Sequence, residues 1–234
     1  QRYLAHLPLL HHPDPKRGRV VGLGAGGTLG AVARYPVQKI DCVEISPAVA
    51  RAARHFKEAN EGSLDDSRVT LTIGDGRTTL LFGRELYDAV ICQPSNLWLS
   101  GMANLFTRDF FMQASKRLAP RGIFCQWIHA YRLSGEDFQS IVRTFYSVFP
   151  HGSVWEIFPG TDYVLLGSYD ASPRPWGALE AAVAAARCPE LLDPAHPGAL
   201  ALAGHLLGTA ASARAAAGPR TLLTDDHNAI EYSA

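Results

Sequence analysis

The stretch Arg19–Gly30, RVVGLGAGGTLG, decides the fold. It opens as an apolar, β-branched run, breaks on glycines and resumes as a helix-like sequence. Gly22, Gly24 and Gly27 match a G-x-G-x-x-G spacing between a strand and a helix, the context in which glycines let a ligand approach the backbone closely. Working outward, "KIDCVEI" (Lys39–Ile45) reads as a second strand. Its last acidic residue, Glu44, stands 20 positions after Gly24 and is expected at an exposed strand end, where a carboxylate accepts hydrogen bonds from ribose hydroxyls. "SPAVARAARHFKEAN" follows as a helix with Ser46 as N-cap and Pro47 at its first position.

Further along, "RVTLTIGDG" is a third strand and "YDAVICQ" a fourth. "TRDFFMQASKRLAPRG" reads as a helix stopped by Pro120 and Gly122, and "IFCQWIHA" as a fifth strand. "SGEDFQSIVRTFYSVFP" is another capped helix, and "SVWEIFP" and "DYVLLGS" are two closely joined strands. Strands alternating with helices predict a parallel sheet covered on both faces, and the final pair an antiparallel hairpin at one edge. The predicted fold class is therefore α/β, Rossmann-like and mostly parallel. It divides into a nucleotide-binding catalytic domain over 1–170 and an alanine-rich helical extension over 171–234 packed on it. "NAIEYSA" at the end reads as a last short strand.

Composition narrows the function. The chain has 234 residues, 47% of them hydrophobic, and 22 basic residues balance 22 acidic ones, so there is no electrostatic case for nucleic acid or an anionic membrane. Cys42, Cys92 and Cys125 lie in apolar strand-like runs and Cys188 in the extension, without metal-type spacing; buried free thiols in a reducing, cytoplasmic setting are expected. No apolar run is long enough to span a bilayer. The His11–His12 pair and Asp225 with His227 make poor ligand sets, so no metal is expected. A glycine loop with Glu44 fits both a dinucleotide and S-adenosylmethionine. Asp75, in "GDG" after the third strand, favours the latter, since an acid there can accept from an adenine amino group; its alternative reading is a helix N-cap. Ile45 and Gly76, adjoining these acids, complete the expected donor-binding set.

"LAHLPLL", "GLGAGGTLG", "VEISP", "LDDSRVTLTIGDGR", "YDAVI" and "LFTRDFF", in that order, resemble the spermidine synthase family of polyamine aminopropyltransferases over about residues 4 to 168. "QPSNLW", "ANLFTRDFF" and "LLTDDHNAIEYSA" look closer to a divergent branch often fused to membrane transporter segments. The resemblance implies a class I S-adenosylmethionine-type fold and a donor that is S-adenosylmethionine or its decarboxylated form. It implies that Gly22, Gly24 and Gly26 line the donor, that Glu44 binds ribose and that Asp75 contacts adenine. It also implies a small-molecule acceptor, admits a homodimer, and would place a membrane segment upstream of Gln1.

The same resemblance marks departures. The family has an acid in the glycine loop where this chain has Ala25, two aspartates after the fourth strand where it has Gln93 and Asn96, and a His-Glu pair where it has Gln1 and Arg2. A polyamine site needs carboxylates to offset desolvation of ammonium groups and to accept a proton; amides hydrogen-bond an amine without neutralising it. An acid in place of Ala25 would repel the carboxylate of intact S-adenosylmethionine, so the alanine shifts weight toward that donor. The candidate catalytic residues are Gln93 and Asn96, which also have a plain role as loop amides, and Asp225 and Asp226, which can fold back over the cleft to replace the missing acids. Gln93 also borders the donor. His129, ending the fifth strand, is a further candidate base, and Trp127 and Tyr131 candidate walls of the acceptor pocket. The first reading is a transferase moving a methyl or aminopropyl group. The alternative is a non-catalytic nucleoside-binding module that regulates an attached membrane domain. An NAD-type enzyme is disfavoured by Asp75 and the final hairpin.

Overall fold

In a computed structural model, which describes residues 1–94, 101–170, 176–186, 191 and 199–232, the chain forms one eight-stranded mixed sheet with helices on both faces. The strands are β1 (Arg17–Val21), β2 (Lys39–Glu44), β3 (Val69–Ile73), β4 (Tyr87–Cys92), β5 (Leu118–His129), β6 (His151–Phe158), β7 (Asp162–Ser168) and β8 (Leu206–Thr209). Their order is β3-β2-β1-β4-β5-β7-β6-β8. The first five are parallel, and β7, β6 and β8 continue the sheet antiparallel. The order reverses between β1 and β4, so a crevice opens outside their carboxyl ends, where ligands of such sheets bind.

The helices α1 (Arg2–His11), α2 (Gly27–Ala33), α3 (Pro47–Ala53), α4 (Lys57–Asn60), α5 (Gly76–Phe82), α6 (Arg108–Ser115), α7 (Gly135–Val148), α8 (Trp176–Ala186), α9 (Ala199–Ala203) and α10 (Ala210–Ala217) cover the two faces. One core layer joins Leu7, Leu29 and Val32 of α1 and α2 to Val20, Ile91 and Cys125. The other joins Phe110, Phe111 and Phe145 of α6 and α7 to Val90, Phe124 and Leu165. Side-chain alternation along β5 assigns Ile123, Cys125 and Trp127 to the first face and Phe124 and Ile128 to the second. Burial pushes the Cys42 thiol up to about 12 and raises Cys92 and Cys125 as well, so these three strand cysteines are free, protonated core residues.

Several elements differ from the expectation. The α6 helix stops at Ser115, and β5 already begins at Leu118. Pro120 is accommodated by a register shift between Tyr87 and Ala89 on the partner strand, with Arg121 in the left-handed region. The helix expected from Ser46 breaks into α3 and α4. The alanine-rich stretch contributes a strand, β8, that pairs with β6, so the hairpin of β6 and β7 does not form the sheet's edge. A four-residue strand among alanines has no period to reveal it. The terminal stretch expected as a strand is instead a 3-10 turn, Ala229–Tyr232, because Ile230 is drawn into the core layer against α6 and α7. Among the described residues, no helix is long and apolar enough to cross a membrane.

Candidate active site

The turn from β1 to α2 is shaped by three glycines in the left-handed region, Gly22, Gly24 and Gly26, with φ of 91°, 55° and 88°. A Cβ on Gly22 would lie 2.8 Å from the Gln93 carbonyl oxygen, and one on Gly26 2.7 Å from Asn60 Cβ. Gly24 differs: a Cβ there would meet nothing closer than Gln1 Nε2 at 4.0 Å, so its open side is the side a ligand can approach. Gly27, the third glycine of the sequence pattern, lies inside α2, while Gly26 makes the turn and caps the helix. Asn60 supports the loop from beneath, donating from Nδ2 to the carbonyls of Ala25 (3.2 Å) and Ala53 (2.8 Å).

Glu44 closes the end of β2. It is only 7% exposed, not the exposed strand-end charge expected. Its Oε2 accepts from Leu23 N (2.9 Å) in the glycine loop and its Oε1 from Ser46 N (2.8 Å) at the cap of α3. The carboxylate thus ties the loop to the second strand. Each oxygen can take a second hydrogen bond, so ribose hydroxyls fit. Next to it, Ile45 is 59% exposed, and Ile73, in register with Glu44, is 48% exposed. These apolar side chains beside a polar loop suit the face of a flat ring. Asp75 caps α5, its Oδ1 accepting from Thr78 N at 2.6 Å, and lies exposed beside them. Gly76 is required by packing, since a Cβ would stand 2.4 Å from Val21 Cγ1.

At the end of β4 the amide of Gln93 is engaged at both ends. Nε2 donates to the Gly22 carbonyl (2.8 Å) and Oε1 accepts from the Thr28 hydroxyl (2.5 Å). It therefore fastens the glycine loop and α2 to the end of β4. Asn96 lies outside the described residues. Asp225 does fold back onto the parallel half: its carboxylate pairs with the Arg77 guanidinium and accepts from the Thr107 hydroxyl (2.8 Å), and its backbone N–H donates to Asp109 (3.0 Å). Partial burial pushes this carboxyl up, but Arg77 and Thr107 outweigh it and hold it below the usual range. Asp226 is exposed on the same turn.

One arrangement brings distant residues together. His129 and Asp162 are direct cross-strand partners on β5 and β7. Asp162 Oδ1 lies 3.1 Å from His129 Nδ1 and accepts from Trp127 Nε1 at 3.0 Å. Tyr131 flanks the imidazole at a ring separation of 6.0 Å. Arg77, Thr107 and Asp162 were not singled out from the sequence. Only the strand register, which depends on the turn between β6 and β7, makes Asp162 a partner of His129.

A glycine loop after the first strand, an acid ending the second and a sheet with this order define the S-adenosylmethionine-dependent methyltransferase fold. The model of the spermine/spermidine synthase domain matches residues 1–159, and the chain belongs to that family. Putrescine N-methyltransferase 2 of Nicotiana tabacum is 37% identical over 135 residues, which are 55% of this chain and 38% of that protein. The spermidine synthase of Dictyostelium discoideum is 34% identical over 141 residues, 58% of this chain and 49% of that one. The chain thus spans less than half the length of the curated relatives it matches. A spermidine synthase solved with the transition-state analogue AdoDATO superposes with a TM-score of 0.67 at 25% identity, covering 80% of this chain and 64% of that structure.

Proposed function

We propose that the chain is an alkyl transferase that takes a methyl or aminopropyl group from S-adenosylmethionine or its decarboxylated form and places it on a small amine. The observation that carries this is the glycine loop with its open side at Gly24 and a buried carboxylate, Glu44, one hydrogen bond beneath it. In this reading Glu44 accepts from the ribose hydroxyls, Ile45 lies under the adenine, Asp75 accepts from its amino group, and the acceptor enters beside Gln93. The donor, when bound, supplies an already activated sulfonium carbon. The protein's task is then to hold the acceptor in line and exclude water.

The relatives' names include both a putrescine methyltransferase and a spermidine synthase, so the family itself leaves both transfers open. Ala25 favours the intact donor, since no acid opposes its carboxylate. Gln93, in place of an acid, favours an amine of low charge over a diamine. Calorimetric titration with S-adenosylmethionine, its decarboxylated form and methylthioadenosine tests the reading. The intact donor is expected to bind at least as tightly as the decarboxylated one; a tenfold preference for the latter, about 1.4 kcal/mol, would return weight to aminopropyl transfer. Putrescine and spermidine are expected to be poor acceptors in a coupled turnover assay.

A second reading has its own support. The side chains of Gln93 and Asp225 are engaged in holding the scaffold, as a nucleoside-binding module without turnover would require. Donor binding without consumption in the presence of amines, thiols and phenols would favour it.

A further inference from the structure

We propose that the chain carries a second small-molecule site, apart from the donor crevice, that takes an organic monoanion: an apolar body bearing one carboxylate. It occupies a cavity of about 690 Å³ between the amino end of β5, the β6–β7 hairpin and the helical extension. Small-molecule sites typically enclose about 300–1,000 Å³, are mostly apolar, and carry a few polar groups that set orientation. The walls here meet that description. Ile123, Trp155 and Leu166 come from the sheet, and Leu179 and Leu202 from α8 and α9; all five belong to the core layer that packs on α1 and α2. Trp155 Nε1 donates to Ser153 Oγ (2.7 Å), so the indole brings no unmet donor to the wall. The alanine-rich extension adds Ala203, Ala210 and Ala211 to the lining, and their single methyl groups leave space that longer side chains would take.

Position separates this cavity from the crevice. Ile123 is in register with Ala89 of β4, three residues short of the Cys92–Gln126 level at which β4 gives way to Gln93. At a rise of about 3.3 Å per residue that is roughly 10 Å along β5. His151, which begins β6, and Ser168, which ends β7, are register partners at the same end of the sheet, and both line the cavity. The residues of the glycine loop, Glu44, Asp75 and Gln93 do not.

Charge complementarity names the occupant. Among the described residues, the ionisable side chains on the lining are His11, Arg121, His151, Asp170 and Arg214. Arg121 and Asp170 stand 3.6 Å apart and offset each other. Arg214 is held differently. Its Nη1 donates to the carbonyls of Tyr146 (3.3 Å) and Pro150 (3.0 Å), and no carboxylate among the described residues pairs with it. Backbone carbonyls fix a guanidinium in place without neutralising it. Nε and Nη2 are left without a partner, and that edge can give a carboxylate two parallel hydrogen bonds. Arg214 is thus the permanent charge left unmatched on an otherwise apolar lining, and a single anionic group on an apolar body completes it.

Calorimetry on the full chain tests this, with octanoate below its micelle concentration as the probe and 1-octanol as its uncharged counterpart. One octanoate per chain is expected to bind, and octanol at least tenfold more weakly. Ala203→Phe, which fills the cavity, should abolish octanoate binding. Arg214→Gln should weaken octanoate at least tenfold and leave octanol unchanged. Arg214 also holds two carbonyls, so its variant is checked by its unfolding midpoint; Ala203→Phe leaves those bonds in place and decides the matter if Arg214→Gln does not fold. Saturating methylthioadenosine should leave the octanoate affinity as it was. No octanoate binding, binding that survives Ala203→Phe, equal affinity for octanol, or displacement by methylthioadenosine would each overturn the proposal. The alkyl-transfer reading stands apart from these outcomes and fails only if no nucleoside binds.

Discussion

The two halves of the cleft are built on opposite plans. Around the glycine loop the polar side chains are fastened to nearby backbone: Glu44 to Leu23 and Ser46, Asn60 to Ala25 and Ala53. Farther out, side chains hold one another across long stretches of chain, His129 with Asp162 and Arg77 with Asp225. The first plan makes a rigid cradle whose shape is set before any ligand arrives. The second fixes side chains by one another, and it can vary without disturbing the cradle.

This contrast can be broken most severely at Glu44. Glu44→Ala orphans two N–H groups under the loop, at about 1–3 kcal/mol each, and should abolish nucleoside binding. Denaturant unfolding is expected to reveal the stability loss and calorimetry the binding loss; normal affinity would remove Glu44 from the donor site. Next comes Gly30→Ala. A Cβ there would stand 2.6 Å from the Asn60 carbonyl oxygen, so α2 must shift, with a stability cost of about 1–3 kcal/mol and a weaker donor affinity.

Gln93→Asp sharpens the comparison. It introduces a carboxylate but removes the donor to the Gly22 carbonyl, so about 1 kcal/mol of stability should be lost even as diamine affinity rises. Equal stability would show that the amide tie contributes nothing. The smallest effect is at Asp225. Its carboxyl is held low in the folded state, so its ion pair stabilises above the ordinary carboxylate range and is lost as pH falls through the depressed value. Being well exposed, the pair should contribute less than about 1 kcal/mol. The difference in denaturation midpoint between the parent and Asp225→Asn should be small at pH 7 and vanish in strong acid.

The same contrast explains what the sequence made legible. The cradle rests on local spacing: glycines around a turn, an acid at the next strand's end, a cap before a helix. Such signals lie within a few tens of residues and survive without a structure. The parallel pairing of the first five strands followed from alternating strands and helices. The partner groups did not, because His129 and Asp162 are 33 positions apart, Thr107 and Asp225 118, and Arg77 and Asp225 148. Nothing in composition or period joins them; the register of β7 and the path of the last turn do. Likewise β8 was hidden in an alanine-rich stretch because pairing with β6, not intrinsic preference, makes it a strand.

The place of β8 at the end of the sheet sets where this polypeptide can be cut. The match to the family model ends at residue 159, in the turn between β6 and β7. A fragment trimmed there would keep β6 and lose β7, stripping β5 of its partner from Phe124 to His129. One ending at Asp170 would keep the hairpin but uncover β6 from Ser153 to Trp155, a bare ladder of backbone donors and acceptors with a large indole beside it. Open edges of that kind recruit strands from other molecules. The smallest piece that remains monodisperse is thus expected to extend past Thr209, some fifty residues beyond the end of the family-model match.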